Sequence, residues 1–524
     1  MKTNDKISRR SFLVGTAIAG VIAPTASIKA QSPTPGGTVR FASPVTDISR
    51  PHALNSTQHA NLTSPVLQTL TRIDENNVTQ PLLCESWEAS DDLKAWTLRL
   101  RKNAKWRKGR QFVAQDVDWN LRRLLDPATG SASYGNLKNL LAEEVVENGV
   151  QITKLWADNA IVVIDDHTLQ LNLKTSHVAL PETLSQYTSV IMDPEEGGAF
   201  GPGSNGTGPF ELTEVRAQRF ARYRRNESYW DRAAYLETYE IIDLGDDANT
   251  AVAALASGQI DLVRRLPMNL LPVIRSLPEV EIASGATAAC ATLSFDCTQE
   301  PWSDPRVRLA MRLATDRDKQ LQVGVQGLGS LGEHHHASPQ HPDYSPIPAF
   351  PYDPERAKNL LVEAGLGDGF DFEVYVSSGF PQYVAALQAL AEDFAKIGAN
   401  MTVLPVPAPQ FSEIWLQRPV VMTDWAHRPL AIQMYALVYR SGVPWNTGKW
   451  SNAKFDELLA KAESIVGHKE RSVVVGELEK ILQEDGPIVQ GFFVDQLIAY
   501  KTSVGGAVAH PGGLVFAENL FTAS

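Results

Sequence analysis

Residues 206–230 read GTGPFELTEVRAQRFARYRRNESYW and predict a β-hairpin closed by two aromatic residues. The opening G-T-G-P indicates a turn, because glycine and proline fit poorly inside a helix or a central strand. Residues 210–215 alternate apolar and polar side chains, which is the period of a half-buried strand. Residues 219–224 mix arginine with aromatic side chains and predict the second strand. A polar turn follows, and Tyr229 and Trp230 can pin it to a core.

This stretch resembles the signature of solute-binding protein family 5, the extracytoplasmic receptors of peptide, nickel and opine ABC importers. The matching letters are G-T-G-P-[FY] and then R-N-x-x-Y-W. Other segments match further family patterns, among them L-x-x-G-x-[IV]-D, V-R-x-A-[IML]-x-x-A-x-D-R and D-P-x-[KR]-A-x-x-L-L-x-x-A-G. The matching blocks keep the family's order and lie at 92–127, 206–230, 255–261, 306–318 and 353–365.

The resemblance implies an α/β fold, the large type of two-lobed periplasmic binding protein fold, with a hinge between the lobes. The expected first lobe is 31–288, with an extra subdomain at about 71–200. The second lobe is 289–494, and 495–524 returns to the first lobe. Independently of the resemblance, strands and helices alternate over 353–404, which favours an α/β lobe with a largely parallel sheet.

The first thirty residues have the order of a twin-arginine signal peptide, with SRRSFLV at 8–14. The apolar run 12–23 is too short to span a bilayer, and small residues after it predict cleavage near Ala30. The alternative is a chance arginine pair before a buried helix. Because no cysteine lies near the cut, we expect no lipid anchor, and no later stretch is apolar enough to cross a membrane. The predicted product is free in the periplasm.

The charge of the chain argues against two classes of partner. The formal charge is -12 at pH 7. The leader holds five basic residues and one acidic residue, so the predicted mature chain carries -16. Such an acidic body argues against nucleic acid as a partner and against adhesion to anionic lipid. A length of 524 residues, with 43% hydrophobic and 21% charged residues, is typical of a globular protein of two or three lobes.

Three cysteines, Cys84, Cys290 and Cys297, allow at most one disulfide. Cys290 and Cys297 are the closer pair in the sequence. The interpretation that we favour is that these two are plain buried thiols.

Candidate contacts with a ligand concentrate just before Pro429. The resemblance implies an aspartate a few residues before this proline, where family peptide receptors pair it with the α-ammonium of the peptide. If Pro429 is the matching proline, Trp425 takes the place of the aspartate, whereas a slip of one residue restores Asp424. His427 and Arg428 instead offer a site for an anionic or hydroxylated ligand.

Further candidates are tryptophans and loop residues. Trp425, Trp445 and Trp450 could stack on a sugar ring or an aromatic group or cover a cation, although tryptophan is also an ordinary core residue. In the loop after the first strand, Asp47, His52 and Asn55 are polar candidates, and the alternative there is a capped turn. The complete set of candidate ligand-binding residues is Asp47, Asn55, Phe295, Asp424, Trp425, His427, Arg428, Trp445, Asn446 and Trp450.

The segment 333–341 holds a metal-like cluster. Its weak candidate ligands, which could hold nickel or zinc, are His334, His335, His336 and His341. The alternatives are a proline-rich loop with polar filler, or imidazoles that hydrogen-bond a ligand. We therefore predict neither a metal nor a cofactor. The letters G-x-G-x-x-G at 327–332 do not predict a dinucleotide site, because a helix rather than a strand is expected before them.

The function predicted is a receptor, not an enzyme, because the sequence has no G-x-S-x-G, H-E-x-x-H or P-loop motif. The resemblance implies a monomeric periplasmic receptor that captures a peptide, or a peptide-like or opine-like solute, for the permease and ATPase of an ABC importer. An alternative is a receptor for an oligosaccharide, a betaine or nickel. A less favoured one is a periplasmic metal-dependent hydrolase built on the histidine cluster.

Overall fold

The structure, a computed structural model, describes residues 33–523 except Asn55, Asn148, Asp246 and Arg265. The predicted signal peptide and the candidate residue Asn55 therefore lie outside the described residues. No helix in the described part of the chain is both long and apolar enough to cross a membrane.

Strands come mostly in runs up to residue 242, and strands and helices then mostly alternate up to residue 438. The strands are β1 Thr38–Ala42, β2 Thr71–Ile73, β3 Thr79–Pro81, β4 Cys84–Ala89, β5 Ala95–Leu100, β6 Ala142–Glu147, β7 Val150–Leu155, β8 Ile161–Asp165, β9 Thr168–Asn172, β10 Phe210–Arg216, β11 Phe220–Arg225, β12 Thr238–Ile242, β13 Leu262–Arg264, β14 Val280–Gly285, β15 Cys290–Phe295, β16 Gly329–Leu331, β17 Phe370–Ser377, β18 Ala399–Val406, β19 Val420–Trp425, β20 Ile488–Val489, β21 Phe492–Val494, β22 Gln496–Lys501, β23 Val504–Gly505 and β24 Phe521–Thr522. The α-helices are α1 Thr57–Thr63, α2 Ala114–Leu124, α3 Tyr134–Leu141, α4 Leu180–Leu184, α5 Ala248–Ser257, α6 Leu271–Arg275, α7 Pro305–Leu313, α8 Arg317–Val325, α9 Pro354–Glu363, α10 Pro381–Ala395, α11 Ala408–Ile414, α12 Ala431–Val438, α13 Ala453–Ala462 and α14 His468–Asp485.

The predicted hairpin forms one edge of a first sheet, whose strand order is β10-β11-β12-β1-β13-β22-β14. Strands β10 and β11 pair antiparallel, which confirms the hairpin. Its two glycines are required by close packing: a Cβ on Gly206 would lie 2.1 Å from the carbonyl oxygen of Val66, and one on Gly208 would lie 2.5 Å from that of Pro65. The aromatic latch also forms, because the Trp230 indole donates a hydrogen bond to the carbonyl of Thr207.

The second sheet has the strand order β16-β21-β15-β19-β17-β18, with β20 also paired to β15. Only β17 pairs parallel with its neighbours, β18 and β19, whereas β15 pairs antiparallel with β19, β20 and β21. The prediction of a largely parallel sheet is therefore wrong. The alternation of strands and helices over 353–404 reflects only those strands of the sheet that are connected by helices. Strand β15 enters directly from the first sheet, and β20 and β21 lie on the way back to it.

The starts of two helices are determined by their local sequence. Asp304 accepts a hydrogen bond from the backbone N–H of Arg306 at the start of α7, and Asp353 accepts one from Arg356 at the start of α9. Pro305 and Pro354 occupy the first position of these helices, where no backbone donor is needed. Buried side chains of both helices, Val307 and Leu361, share one apolar core with buried side chains of the second sheet.

A smaller sheet, β4-β5-β9-β8, is built from the segment that the resemblance assigned to an extra subdomain. Buried side chains of this sheet, such as Leu98, share one apolar core with buried side chains of α12, such as Tyr435. The chain passes between the first and second sheets at two neighbouring points, 286–289 and Asp495. There the Thr287 hydroxyl donates to the carbonyl of Val494, at 2.6 Å.

Candidate functional site

The described chain contains a large cavity of about 1360 Å³. Its wall combines four parts of the sequence: 56–73 and 510–518 beside the first sheet, 175–190 near the smaller sheet, and 426–445 beside the second. Polar, charged and aromatic side chains all line it. Clefts of this kind are where small-molecule ligands usually bind.

The loop after β19 carries the predicted residues His427 and Arg428 into this wall. Nδ1 of His427 accepts a hydrogen bond from the backbone N–H of Ala288, at 3.1 Å. Its Nε2 therefore carries the proton and donates to Oδ1 of Asn77, at 2.8 Å. Burial, with a smaller contribution from neighbouring cationic groups, lowers the pKa of His427 well below its ordinary value. The imidazole is neutral and acts as a rigid support for the loop.

The backbone on both sides of Arg428 is held in place. Nδ1 of His341 accepts from the N–H of Ser338, so its Nε2 donates to the carbonyl of Arg428, at 3.1 Å. The amide of Asn77 donates to the carbonyl of Pro429, at 2.9 Å. These contacts fix the direction from which the Arg428 side chain enters the cavity.

The guanidinium of Arg428 has no carboxylate partner among the described residues. Its hydrogen bond within the described chain joins Nη1 to the carbonyl of the adjacent His427, at 3.2 Å. Burial lowers the pKa of Arg428, while the nearby Tyr187 opposes this effect. Most of its donors thus remain available to a ligand, and its planar fork suits a carboxylate.

An aromatic cluster contributes to the same cavity wall. Trp445 is 41% exposed and lines the cavity. Its ring centroid lies 6.2 Å from that of Trp425 and 6.1 Å from that of Trp415. Trp425 itself is buried, and its indole N–H donates to the hydroxyl of Thr292, at 2.9 Å. The structure therefore makes Trp445 the ring a solute can touch and Trp425 its support.

Two other arginines of the wall form ion pairs with glutamates. Arg72 lies 3.6 Å from Glu518, and Arg440 lies 2.5 Å from Glu463. Burial raises the pKa of Glu518. Arg264 is a further cation of the wall.

Several candidates from the sequence do not line the cavity. Phe295 is fully buried and stacks on Trp302, with centroids 4.4 Å apart, because it points into the core of the second sheet. Trp450 is also buried, and its indole N–H donates to Asp485. Asn446 braces the backbone of Trp450 from both sides.

Two predicted carboxylates are exposed and lie outside the cavity lining. Asp424 precedes Trp425 on β19, so the two side chains leave opposite faces of the sheet. Since Trp425 faces the aromatic cluster, Asp424 faces away from it. Asp47 caps its own turn by accepting from the N–H and hydroxyl of Ser49, which corresponds to the capped-turn alternative.

The histidine cluster is buried and serves the loops around it. Nδ1 of His334 accepts from the N–H of Gln490, and Nδ1 of His336 lies 2.9 Å from the Tyr439 hydroxyl. Burial lowers the pKa of His335 to about 3. No group of three or more His, Cys, Asp or Glu side chains in the described part of the chain is placed to hold a metal ion.

Some residues of the site are not predicted from the sequence. Asn77 and His510 support the cavity, and Arg72 and Glu518 line it, yet all four come from segments far from Pro429 in the sequence. A usable signal existed only for Asn77, since the run D-E-N-N at 74–77 is typical of a turn that tolerates positive φ. Its φ is 61°.

Comparisons with known proteins cover most of the chain. A family model described as bacterial extracellular solute-binding proteins, family 5 Middle, matches residues 78–447. Heme-binding protein A of Haemophilus influenzae is 24% identical over 443 residues, which cover 78% of this chain and 78% of that protein. Glutathione-binding protein GsiB of Escherichia coli K12 is 24% identical over 473 residues, covering 86% and 87%.

Among solved structures, the unliganded open form of MppA, a periplasmic murein tripeptide binding protein, superposes with a TM-score of 0.81. It is 19% identical, and the match covers 94% of this chain and 98% of that one. A likeness at this identity shows the fold, which is the two-lobed α/β architecture that the sequence predicts.

Proposed function

Because the chain belongs to family 5 of the bacterial extracellular solute-binding proteins, we propose that it is the substrate-binding component of an ABC importer. It captures a small solute between two lobes and delivers it to the permease and ATPase subunits. The observation that carries this proposal is the cavity of about 1360 Å³, whose wall draws on segments beside both large sheets. We assign it no catalytic role, and we expect a monomer.

The solute that we propose is peptide-like or opine-like. The relatives are named for heme, glutathione and a murein tripeptide. Solutes of these sizes fit a cavity larger than the roughly 300–1000 Å³ of ordinary small-molecule pockets. The likeness to an unliganded open form supports the view that this is the open state, so the cavity would shrink as the lobes close. The wall favours such solutes over nickel, because Arg428 lines it without a carboxylate partner among the described residues, and the described part of the chain holds no cluster of metal ligands.

We place the lobes at 31–288 and 289–494, with 71–200 as the extra subdomain and 495–524 returning to the first lobe. Strand membership supports this division, since β15 is the first strand of the second sheet and β22 rejoins the first. The proposed hinge consists of the two adjacent crossovers, 286–289 and Asp495, which are short and bonded to each other. Closure about such a hinge lets the permease distinguish loaded from empty receptor.

Export by the twin-arginine route remains our proposal for how the chain reaches the periplasm. It is supported by the order of charge, apolar run and small residues in 1–30. Replacement of both arginines, Arg9 and Arg10, by lysine should leave the precursor uncleaved in the cytoplasm.

A binding screen tests the proposed function. The mature protein is unfolded and refolded to remove any solute carried through purification, then heated with peptides, opines, oligosaccharides, betaines or nickel. A solute at 100 times its Kd should stabilise by about 2.7 kcal/mol, which shifts Tm by a degree or more. Loss of uptake of the same solute when the gene is deleted would show that the bound solute is the one imported. Binding of nickel or of sugars alone would contradict the peptide-like and opine-like assignment.

A further inference from the structure

Positive charge dominates the cavity wall, although the chain as a whole is acidic. The ionised side chains that line it are Arg72, Arg264, Arg428, Arg440, Glu463 and Glu518. The formal excess is two positive charges, in a chain whose net charge is -12. A concave site of one sign concentrates ligands of the opposite sign. The wall therefore favours an anion.

The lining carboxylates are already neutralised. Glu463 is ion-paired with Arg440, and Glu518 with Arg72. The other acidic candidate, Asp424, lies outside the lining and faces away from Trp425. Within the described chain, the cavity thus offers no unpaired carboxylate to a ligand's ammonium group.

Arg428, in contrast to Arg72 and Arg440, is not neutralised by a carboxylate of the described chain. It lines the cavity without a carboxylate partner, and it is half-buried among Tyr187 and His427. A cation removed from water without a counter-ion is costly unless another group neutralises it. His341 and Asn77 nevertheless hold the neighbouring backbone in one position. An arginine whose backbone is held in place and whose guanidinium lacks a counter-ion is well suited to bind a carboxylate through two hydrogen bonds.

We propose that the solute presents a carboxylate to Arg428 and is recognised without an ion pair to its amine. This inference rests on the proposed function and narrows it. Among peptide-like and opine-like solutes, it selects acids whose amine is substituted, blocked or absent. Trp445, which lines the same cavity, offers a surface to an apolar or planar part of the solute.

The test uses solutes that differ by one charged group. On a tripeptide scaffold, four forms are compared: the free peptide, its N-acetyl derivative, its C-terminal amide, and the form blocked at both ends. The same is done with glutathione and its diethyl ester, and with an N-carboxyalkyl amino acid and its dimethyl ester. Kd is measured by titration calorimetry for wild type, Arg428→Gln, Arg428→Lys and Arg99→Gln. Each variant is first shown to keep the wild-type Tm to within a few degrees.

We expect esterification or amidation to weaken binding by more than about tenfold in wild type, and N-acetylation to leave it unchanged or improve it. In Arg428→Gln, acid and amide should bind equally weakly, while Arg428→Lys should keep part of the preference for acid. Arg99→Gln is the control, because this exposed arginine pairs with Glu88 outside the cavity lining; the variant should keep the wild-type preference for acid over amide.

Two results would overturn the inference and leave the proposed function standing. One is equal binding of acid and amide by wild type, and the other is loss of binding on N-acetylation. Failure of every acid form to bind wild-type protein would overturn both.

Discussion

Nε2 of His427 lies 2.8 Å from Oδ1 of Asn77, and this hydrogen bond joins the β2–β3 hairpin to the loop that carries Arg428. It also orients the amide of Asn77. With Oδ1 committed to His427, Nδ2 donates to the carbonyls of Gln340 and Pro429, both at 2.9 Å. One buried side chain thus holds two loops beside the second sheet against a hairpin that belongs to the proposed first lobe.

We expect Asn77→Gly to lower the free energy of unfolding by about 1–3 kcal/mol, because it leaves buried polar groups of His427, Gln340 and Pro429 without partners. Glycine is the appropriate substitution, since the φ of 61° at this position would strain alanine. Urea unfolding at pH 7 measures the change. Asn76→Gly is the control, because Asn76 is exposed beside it. Equal losses in the two variants would mean that the side-chain contacts of Asn77 contribute nothing.

Trp445 should report solute binding by its fluorescence. It is 41% exposed and lines the cavity, so a bound solute replaces water against its ring. We expect addition of a saturating solute from the binding screen to change the tryptophan emission of wild type, and Trp445→Phe to lose most of that change. Trp87→Phe, on β4 and outside the cavity lining, serves as the control and should keep it. An undiminished response in Trp445→Phe would place the solute elsewhere.

A buried carboxylate on α14 should make stability depend on pH. Glu479 is fully buried, and desolvation raises its pKa to about 8, with repulsion from Asp343 adding to the effect. Between the ordinary value near 4.5 and 8, the folded chain keeps a proton that the unfolded chain releases. This group's contribution to stability therefore falls as pH rises through that window.

Glu479→Gln removes this dependence. The amide oxygen of glutamine can still accept the hydrogen bond that the N–H of Ser345 now gives to Oε1, at 3.2 Å. We expect the variant to be more stable than wild type at pH 8.5 and about equal to it at pH 5, as measured by Tm in matched buffers. The exposed neighbour Glu477 provides the control, Glu477→Gln, which should show the same small change at both pH values. A Glu479→Gln effect independent of pH would contradict the assignment.

The features that the sequence predicts correctly are those that local chemistry determines. The hairpin at 210–225 depends on period-two alternation and on glycines that no Cβ could replace, and both are visible in the letters. The caps of α7 and α9 depend on Asp304 and Asp353 a few residues from the N–H groups they satisfy. The family resemblance supplies the two-lobed architecture, which the likeness to a solved open form confirms.

The features that the sequence does not predict depend on contacts between distant segments. Whether Asp424 or Trp425 faces the ligand depends on which face of β19 is covered, and this follows only from the packing of Trp415 and Trp445. The mixed second sheet likewise results from the direction in which β15 enters. The histidines that suggested a metal are instead buried partners of loops far away in the chain.

The reactivity of the cysteines can show whether the protein contains a disulfide or three free thiols. All three are free in the structure, Cys84 and Cys290 being buried and Cys297 half-buried. Burial raises the pKa of Cys84 to about 12 and that of Cys297 to about 11. Since the thiolate is the reactive form, native protein at pH 7.5 should react slowly with a thiol reagent such as dithionitrobenzoate. In denaturant without reductant, we expect three equivalents to react at once. One rapid equivalent instead of three would mean that two of the cysteines are joined, because a disulfide does not consume the reagent.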